Sequence, residues 1–291
     1  MPLLEDKVAV VTGAARGIGR GHARLLAREG ARVVVNDLDA DEVAAVVADI
    51  TALGGRAVAN TDSVAAWSGG AALVQQAVDA FGRLDILVNN AGILRDAMSF
   101  NITEEQWDSV IDVHLKGHMS TSRAAAQHWR DRAKAGEAVT GRIINTTSES
   151  GLFGQAGQIN YSAAKAGIVS MTIVLARELK KYGVTVNAVC PRARTRMTES
   201  MPGADEYMQG PVWDPENIAP LVCFLASDDA ADISGQVFVI WGTKIHLMQG
   251  WQRVNSVDRG EGRWTAEELI ARKDEIFAGH RRKIPPMGFG E

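Results

Sequence analysis

Seven short apolar runs recur along this 291-residue chain, separated by segments with the periodicity of helices. The runs span Lys7 to Thr12, Arg32 to Asn36, Ala57 to Asn60, Asp85 to Asn89, Arg142 to Thr147, Thr185 to Val189 and Gln236 to Ile240. Helical spacing covers Ile18 to Glu29, Asp39 to Leu53, Leu73 to Phe81, Tyr161 to Tyr182 and, after the cap Asp214-Pro215, the stretch to Ala226. A capping-box signal at Thr103-Glu-Glu-Gln106 opens a further long helix that runs toward Ala135. Strand and helix alternating in one direction imply a parallel sheet with helices on both faces. The predicted fold is therefore α/β, a doubly wound seven-stranded parallel sheet of Rossmann-like type. With 46% hydrophobic content the chain fills one large domain without requiring two. Residues 1–242 are expected to form that domain, and 243–291 a C-terminal extension.

A net charge of −4 and a pI near 5.9 argue against a nucleic-acid partner, whose phosphates want a basic face. No run of 18 apolar residues suggests a membrane span, and the acidic start MPLLEDKVAV does not resemble a signal peptide. A cytoplasmic location is expected. Cys190 and Cys223 sit in apolar surroundings, where a reduced, buried thiol is ordinary.

The first strand runs into Thr12-Gly13-Ala-Ala-Arg16-Gly17-Ile18-Gly19 and then a helix. Glycines there let the backbone approach a pyrophosphate lying on the helix amino end. Asp37 follows the second strand, about twenty residues on, where a carboxylate accepts both hydroxyls of an adenosine ribose and repels a 2′-phosphate. NAD is thus expected over NADP, although Arg16 lies where an arginine can serve a 2′-phosphate. A helix cap is the plainer role for Asp37.

Tyr161 and Lys165 are four apart, on one face of a helix, with Ser148 arriving from a strand end. A cation about 4 Å from a tyrosine hydroxyl, at an effective dielectric of about 20, is worth roughly 4 kcal/mol, or roughly 3 pKa units before desolvation. Lys165 is therefore expected to make Tyr161 a proton acceptor and Ser148 to hold a substrate oxygen. Taken alone, Tyr161 reads as a helix-start aromatic and Lys165 as a solvated side chain; the motifs around them shift that reading. Ser162-Ala-Ala-Lys165 also matches the SxxK of serine hydrolases, but the SDN and KTG partners are missing.

These motifs, with Asn89-Asn90-Ala91-Gly92 between them, resemble the short-chain dehydrogenase/reductase family from about Lys7 to about Gly242. The resemblance implies an NAD-dependent oxidoreductase interconverting a secondary alcohol and a ketone, with Ser148, Tyr161 and Lys165 catalytic. It places Gly13, Arg16, Gly17, Ile18, Gly19, Asp37, Asp62, Ser63, Val64, Asn90, Gly92, Tyr161, Lys165 and Pro191 at the cofactor. His114 stands where most members carry an asparagine that organises a water linked to the lysine; proton relay and a structural role are both open to it. A metal is not expected at His114 and His118, since Leu115 replaces the glutamate of HExxH and no third ligand follows. The glycine usually following Pro191 is Arg192, and five residues past the proline stands Arg196 instead of threonine. The resemblance also implies a homodimer or homotetramer, through the Tyr161 helix and the long helix before it. A nucleotide-binding scaffold without turnover is the non-enzymatic alternative.

VVVNDL, AVANTDSV, NNAGILRD, VHLKG, GQINYSAAK, RMT and IAPLV are similar to the hydroxyacyl-CoA dehydrogenase domain of the peroxisomal multifunctional enzyme, a branch that shares His114. It implies a 3-hydroxyacyl-CoA as substrate, with a steroid or other bulky apolar alcohol as alternative. Arg192, Arg194 and Arg196 put three cations beside the expected substrate mouth, either to dock phosphates or a carboxylate or to pair with Glu199 and other acids. Residues 197–213 lack a strong period and read as a lid. Trp264-Thr265-Ala266-Glu267-Glu268 starts a short helix in the extension, and 285–290 read as irregular.

Overall fold

A computed structural model describes residues 2–199 and 203–280. It forms two compact units, one ending at Met248 and the other beginning at Gln249. Residues 200–202 of the expected lid and the 285–290 stretch lie outside the described residues.

The first unit is built on one eight-stranded sheet. Its strands are β1 (Val8–Thr12), β2 (Arg32–Asn36), β3 (Arg56–Asn60), β4 (Ile86–Asn89), β5 (Arg142–Thr146), β6 (Thr185–Arg192), β7 (Val237–Trp241) and β8 (Lys244–Met248), ordered β3-β2-β1-β4-β5-β6-β7-β8. The first seven pair parallel, as expected. The eighth corrects the sequence reading. After a turn at Gly242, Lys244–Met248 folds back antiparallel on β7. The sheet thus has eight strands, and its unit closes at Met248, past the expected boundary at 242.

The helices in chain order are α1 (Gly17–Arg28), α2 (Ala40–Ala52), α3 (Trp67–Phe81), α4 (Glu104–Ile111), α5 (Gly117–Lys134), α6 (Glu149–Phe153), α7 (Ile159–Leu179), α8 (Arg196–Glu199), α9 (Ala204–Tyr207) and α10 (Ala219–Ala226). Buried strands alternate between two cores. Ala9 and Val11 of β1 face the core packed with Leu26, Val43 and Val222, whereas Val8 and Val10 face Leu73, Trp129 and Leu175. Thr103 and Gln106 form the predicted capping box at α4. The long helix beyond it is not uniform, because Asp112–Lys116 takes a π-helical turn between α4 and α5. α7 is long and apolar enough to cross a bilayer by length and composition. It nonetheless packs on the sheet through buried Ile168, Thr172 and Leu175.

The second unit holds α11 (Ala266–Ala271) and α12 (Lys273–Phe277). A second capping box, Thr265 with Glu268, starts α11 as the sequence indicated. Arg259 pairs with Glu268 at 2.9 Å, and Asn255 Nδ2 donates to the carbonyls of Glu275 and Ile276 at 2.8 Å.

The strand order reverses between β1 and β4, and ligands of such sheets bind at the carboxyl ends of the strands beside that switch. Gly13, Asp37, Asn90, Ser148 and Pro191 all follow or end strands at that edge.

Candidate active site

The amino end of α1 is prepared for an anion. Gly13 takes φ +63°, and a Cβ added at Gly19 would lie 2.1 Å from the Gly13 carbonyl oxygen and 2.5 Å from Asn90 Nδ2. Only glycine permits this approach. Among the described residues no side chain caps α1 and no acidic residue stands in its first turn, so the amide hydrogens of Gly17, Ile18 and Gly19 face outward with the helix dipole behind them. Asp37 lies past β2, where its Oδ2 accepts from Ala15 N at 3.2 Å and its Oδ1 from Leu38 N at 2.8 Å. Arg16 is 41% exposed, but its guanidinium pairs with Asp39 and, at 3.3 Å, with Glu42. Past β3, Asn36 Nδ2 donates to the Asp62 carbonyl at 2.9 Å and to Asn60 Oδ1 at 2.6 Å, fixing the start of Asp62-Ser63-Val64. The Val64 carbonyl accepts from Ser120 Oγ at 3.3 Å. An open helix end, a carboxylate past β2 and a Cβ-free floor fit a dinucleotide.

Two residues expected to line the cofactor do something else as well. Asn90 Nδ2 donates to the carbonyls of Thr12 and Gly13 at 3.1 and 3.0 Å, so its amide braces the glycine loop. Gly92 makes room for His114, since a Cβ there would sit 2.4 Å from His114 Cε1.

The reacting groups meet where β5 ends. Ser148 is the N-cap of α6, its Oγ accepting from Ser150 N at 3.2 Å. Asn160 fixes the start of α7 by donating to the Arg95 and Gln106 carbonyls, both at 3.0 Å, while its Oδ1 accepts from Tyr161 N at 2.8 Å. The Ser148 hydroxyl lies near enough to the Tyr161 hydroxyl to favour its ionised form. Lys165 is 2% exposed and donates from Nζ to the Thr146 carbonyl at 2.6 Å; that Nζ lies 5.5 Å from the Tyr161 ring centroid. The structure thus brings together the three side chains that the sequence singled out.

Their electrostatics differ from the expectation. Desolvation pushes the Tyr161 hydroxyl up to about 12, opposed by the Ser148 hydrogen bond, with Cys190 and Asp96 adding to the rise. Desolvation also pulls the Lys165 amine down to about 7. Lys165 therefore does not lower Tyr161, because burial opposes the charged form of both.

His114 lies in the π-helical turn, 1% exposed, with its ring edge-on to Tyr161 at 5.1 Å between centroids. Its Nε2 is 2.8 Å from the Ile93 carbonyl and 3.0 Å from Ile93 N. Desolvation first, then the Lys165 charge, holds it at about 3. His114 Nδ1 and His118 Nε2 are buried without a partner among the described residues. No group of three or more His, Cys, Asp or Glu placed to hold a metal occurs among those residues.

Of the two roles open to the arginines, pairing with acids accounts for two of the three. Arg192 makes two bonds to Glu149, Nε to Oε2 and Nη2 to Oε1, both at 2.5 Å, and its guanidinium lies 5.5 Å from the Trp241 ring centroid. Arg194 pairs with Asp205 at 2.7 Å and Glu199 at 3.7 Å. Two of the three cations are thus already neutralised, which leaves Arg196 exposed on α8. Pro191 sits within β6, opposite Ile240. The threonine sought five residues after it is found four after it. A Cβ on Gly17 would lie 3.5 Å from Thr195 Cγ2, which places Thr195 against the glycine loop. Beyond these, Trp241 stacks near Trp213 at 5.3 Å and Trp213 meets Tyr207 at 6.3 Å. Sequence reading missed Glu149, Asn160, Thr195, Trp213 and Trp241. Only Glu149 left a signal, an acid next to Ser148 that could answer the unusual Arg192.

The short chain dehydrogenase family profile matches residues 7–205. The hydroxyacyl-CoA dehydrogenase ChsB1 of Mycobacterium tuberculosis is 46% identical over 289 residues, covering 95% of this chain and 90% of that protein. The peroxisomal multifunctional enzyme type 2 of Mus musculus is 40% identical over 260 residues, 86% of this chain but 33% of the longer protein. A crystal structure of a short chain dehydrogenase from Mycobacterium avium superposes with a TM-score of 0.90 at 48% identity, covering 99% of this chain and all of that one.

Proposed function

This chain belongs to the short-chain dehydrogenase family, and on that premise we propose that it interconverts a 3-hydroxyacyl-CoA and its 3-ketoacyl-CoA with NAD. The observation that carries the chemistry is the convergence of Ser148, Tyr161 and buried Lys165 at the end of β5. When bound, the nicotinamide supplies the hydride acceptor. The residues that would hold the dinucleotide are Gly17 to Gly19 at its phosphates, Asp37 at its adenosine ribose, and Lys165 at its other ribose. Tyr161 takes the hydroxyl proton as the carbinol carbon becomes a carbonyl. Ser148 donates to the oxygen on which charge develops. In the reverse direction the protonated Tyr161, the form burial favours, donates to the ketone oxygen. Tyr161→Phe is expected to abolish turnover while leaving NAD binding nearly intact; substantial remaining activity would reject the assignment.

Support for NAD comes from Arg16, whose commitment to Asp39 and Glu42 leaves Asp37 as the charge past β2. Support for the thioester comes from the names of the relatives and from exposed Arg196. The pairing of Arg192 and Arg194, together with the Tyr207, Trp213 and Trp241 aromatics, favours a second reading, a steroid or other bulky apolar alcohol. Comparative kinetics on both classes decides between them. A homodimer or homotetramer is also proposed. A groove of about 560 Å³ between α5 and α7, lined by Met119, Arg123, Leu175 and Tyr182, supports it, and light scattering at micromolar concentration checks it.

A further inference from the structure

Ser148 sits at the head of a helix too short to orient itself. α6 has five residues, well below the length at which a helix sustains itself in water, so its direction depends on what grips it. Three contacts do. Gly151 lies on the α7 backbone, where a Cβ would meet the Lys165 carbonyl carbon at 2.6 Å. Ser150 Oγ donates to Gln158 Oε1, and Gln158 Nε2 to Asp96 Oδ2, each at 2.8 Å. The third is Glu149, next to Ser148, held at both oxygens by Arg192. Arg192 is itself set by its strand, opposite Trp241 in register and over that ring. Both partners are partly buried, 27% and 18% exposed at their side chains, so the pair is screened less than a surface ion pair.

We propose that Glu149 and Arg192 are positioning residues for the dehydrogenase reaction: their two-pronged ion pair locks the head of α6 to β6 and thereby aims the Ser148 hydroxyl at Tyr161. The inference rests on the dehydrogenase reading and is indifferent to which alcohol is the substrate. Losing the pair releases the head of α6 from β6. A displacement of about 1 Å costs on the order of a hundredfold in a positioned step. It also weakens the hydrogen bond that stabilises ionised Tyr161, whose other charged or titratable neighbours are Lys165 on α7, His114 in the π-helical turn, Cys190 on β6 and Asp96 after β4.

The test compares the full-length protein with Glu149→Gln, Arg192→Leu and the charge-swapped double variant Glu149→Arg/Arg192→Glu. Expected for each single variant are a kcat lowered roughly 10- to 100-fold, an unchanged Kd for NAD, and a Tyr161 titration displaced upward, seen as less tyrosinate at a fixed alkaline pH. The titration is read without substrate from tyrosinate absorbance, with Tyr161→Phe subtracted; only three tyrosines contribute. The swapped pair is expected to recover at least tenfold of the lost kcat. Single variants that titrate like the parent, or lose kcat and NAD affinity together in step with Tm, would overturn the proposal. If the parent turns over no alcohol, the dehydrogenase reading fails, while the titration still decides whether the pair positions Ser148 against Tyr161.

Discussion

Replacing Gly92 by alanine should act through His114. The added Cβ would fall 2.4 Å from His114 Cε1 and 3.2 Å from both ring nitrogens. The ring has nowhere inexpensive to go: its Nε2 is held by the Ile93 backbone and Tyr161 stands edge-on at 5.1 Å. The backbone at Gly92 needs no positive φ, so the penalty is steric. Overpacking of this kind costs about 1–3 kcal/mol, which for a domain of this size lowers Tm by roughly 2–12 °C. Displacing the ring also presses on Tyr161, so kcat falls with stability. The assay is a double-mutant cycle by urea unfolding. His114→Ala alone loses the edge-on contact and its hydrogen bond, about 1–3 kcal/mol in sum. In that background Gly92→Ala should cost less than about 0.5 kcal/mol. An equal penalty in both backgrounds would refute the claim that Gly92 exists to admit His114.

Asp37→Ala should lower kcat/KM with NAD and raise it with NADP, narrowing the preference at least tenfold by steady-state kinetics; an unchanged ratio would remove Asp37 from cofactor choice. Acid should destabilise the fold through its buried histidines. His22 and His114 are each held at about 3 by burial, below the ordinary 6.5, so the unfolded chain binds protons that the folded one refuses. Stability then falls as pH drops from about 6.5 toward 3, by about 1.4 kcal/mol per unit for each histidine. His22→Leu should flatten the slope of unfolding free energy between pH 6.5 and 4.5 by that amount, and parallel slopes would contradict the assignment.

What was legible in the sequence is what depends on local spacing. Tyr161 and Lys165 are one helical turn apart, and the glycine loop and Asp37 follow strands whose apolar runs are plain. Illegible were features decided by contact across the fold. Arg192 finds Glu149 from 43 residues away, so the sequence left docking and pairing both open and did not name the partner. β8 carries the exposed Ile245 and Leu247 on an edge, and its pattern gave no reason to extend the sheet past Gly242. The π-helical turn at Asp112–Lys116 keeps the apolar spacing of its neighbours. The depth of burial at Tyr161 and Lys165, which opposes the charged form of both, is set by packing across the fold.

The central claim, a dehydrogenase acting on hydroxyacyl thioesters, is tested most directly by steady-state formation of reduced cofactor. NAD is supplied with 3-hydroxyacyl-CoA thioesters, the corresponding CoA-free acids, and a steroid alcohol. The account predicts the highest kcat/KM for a thioester, and turnover that vanishes in Tyr161→Phe. Equal or higher kcat/KM for the steroid alcohol or the free acid would contradict it.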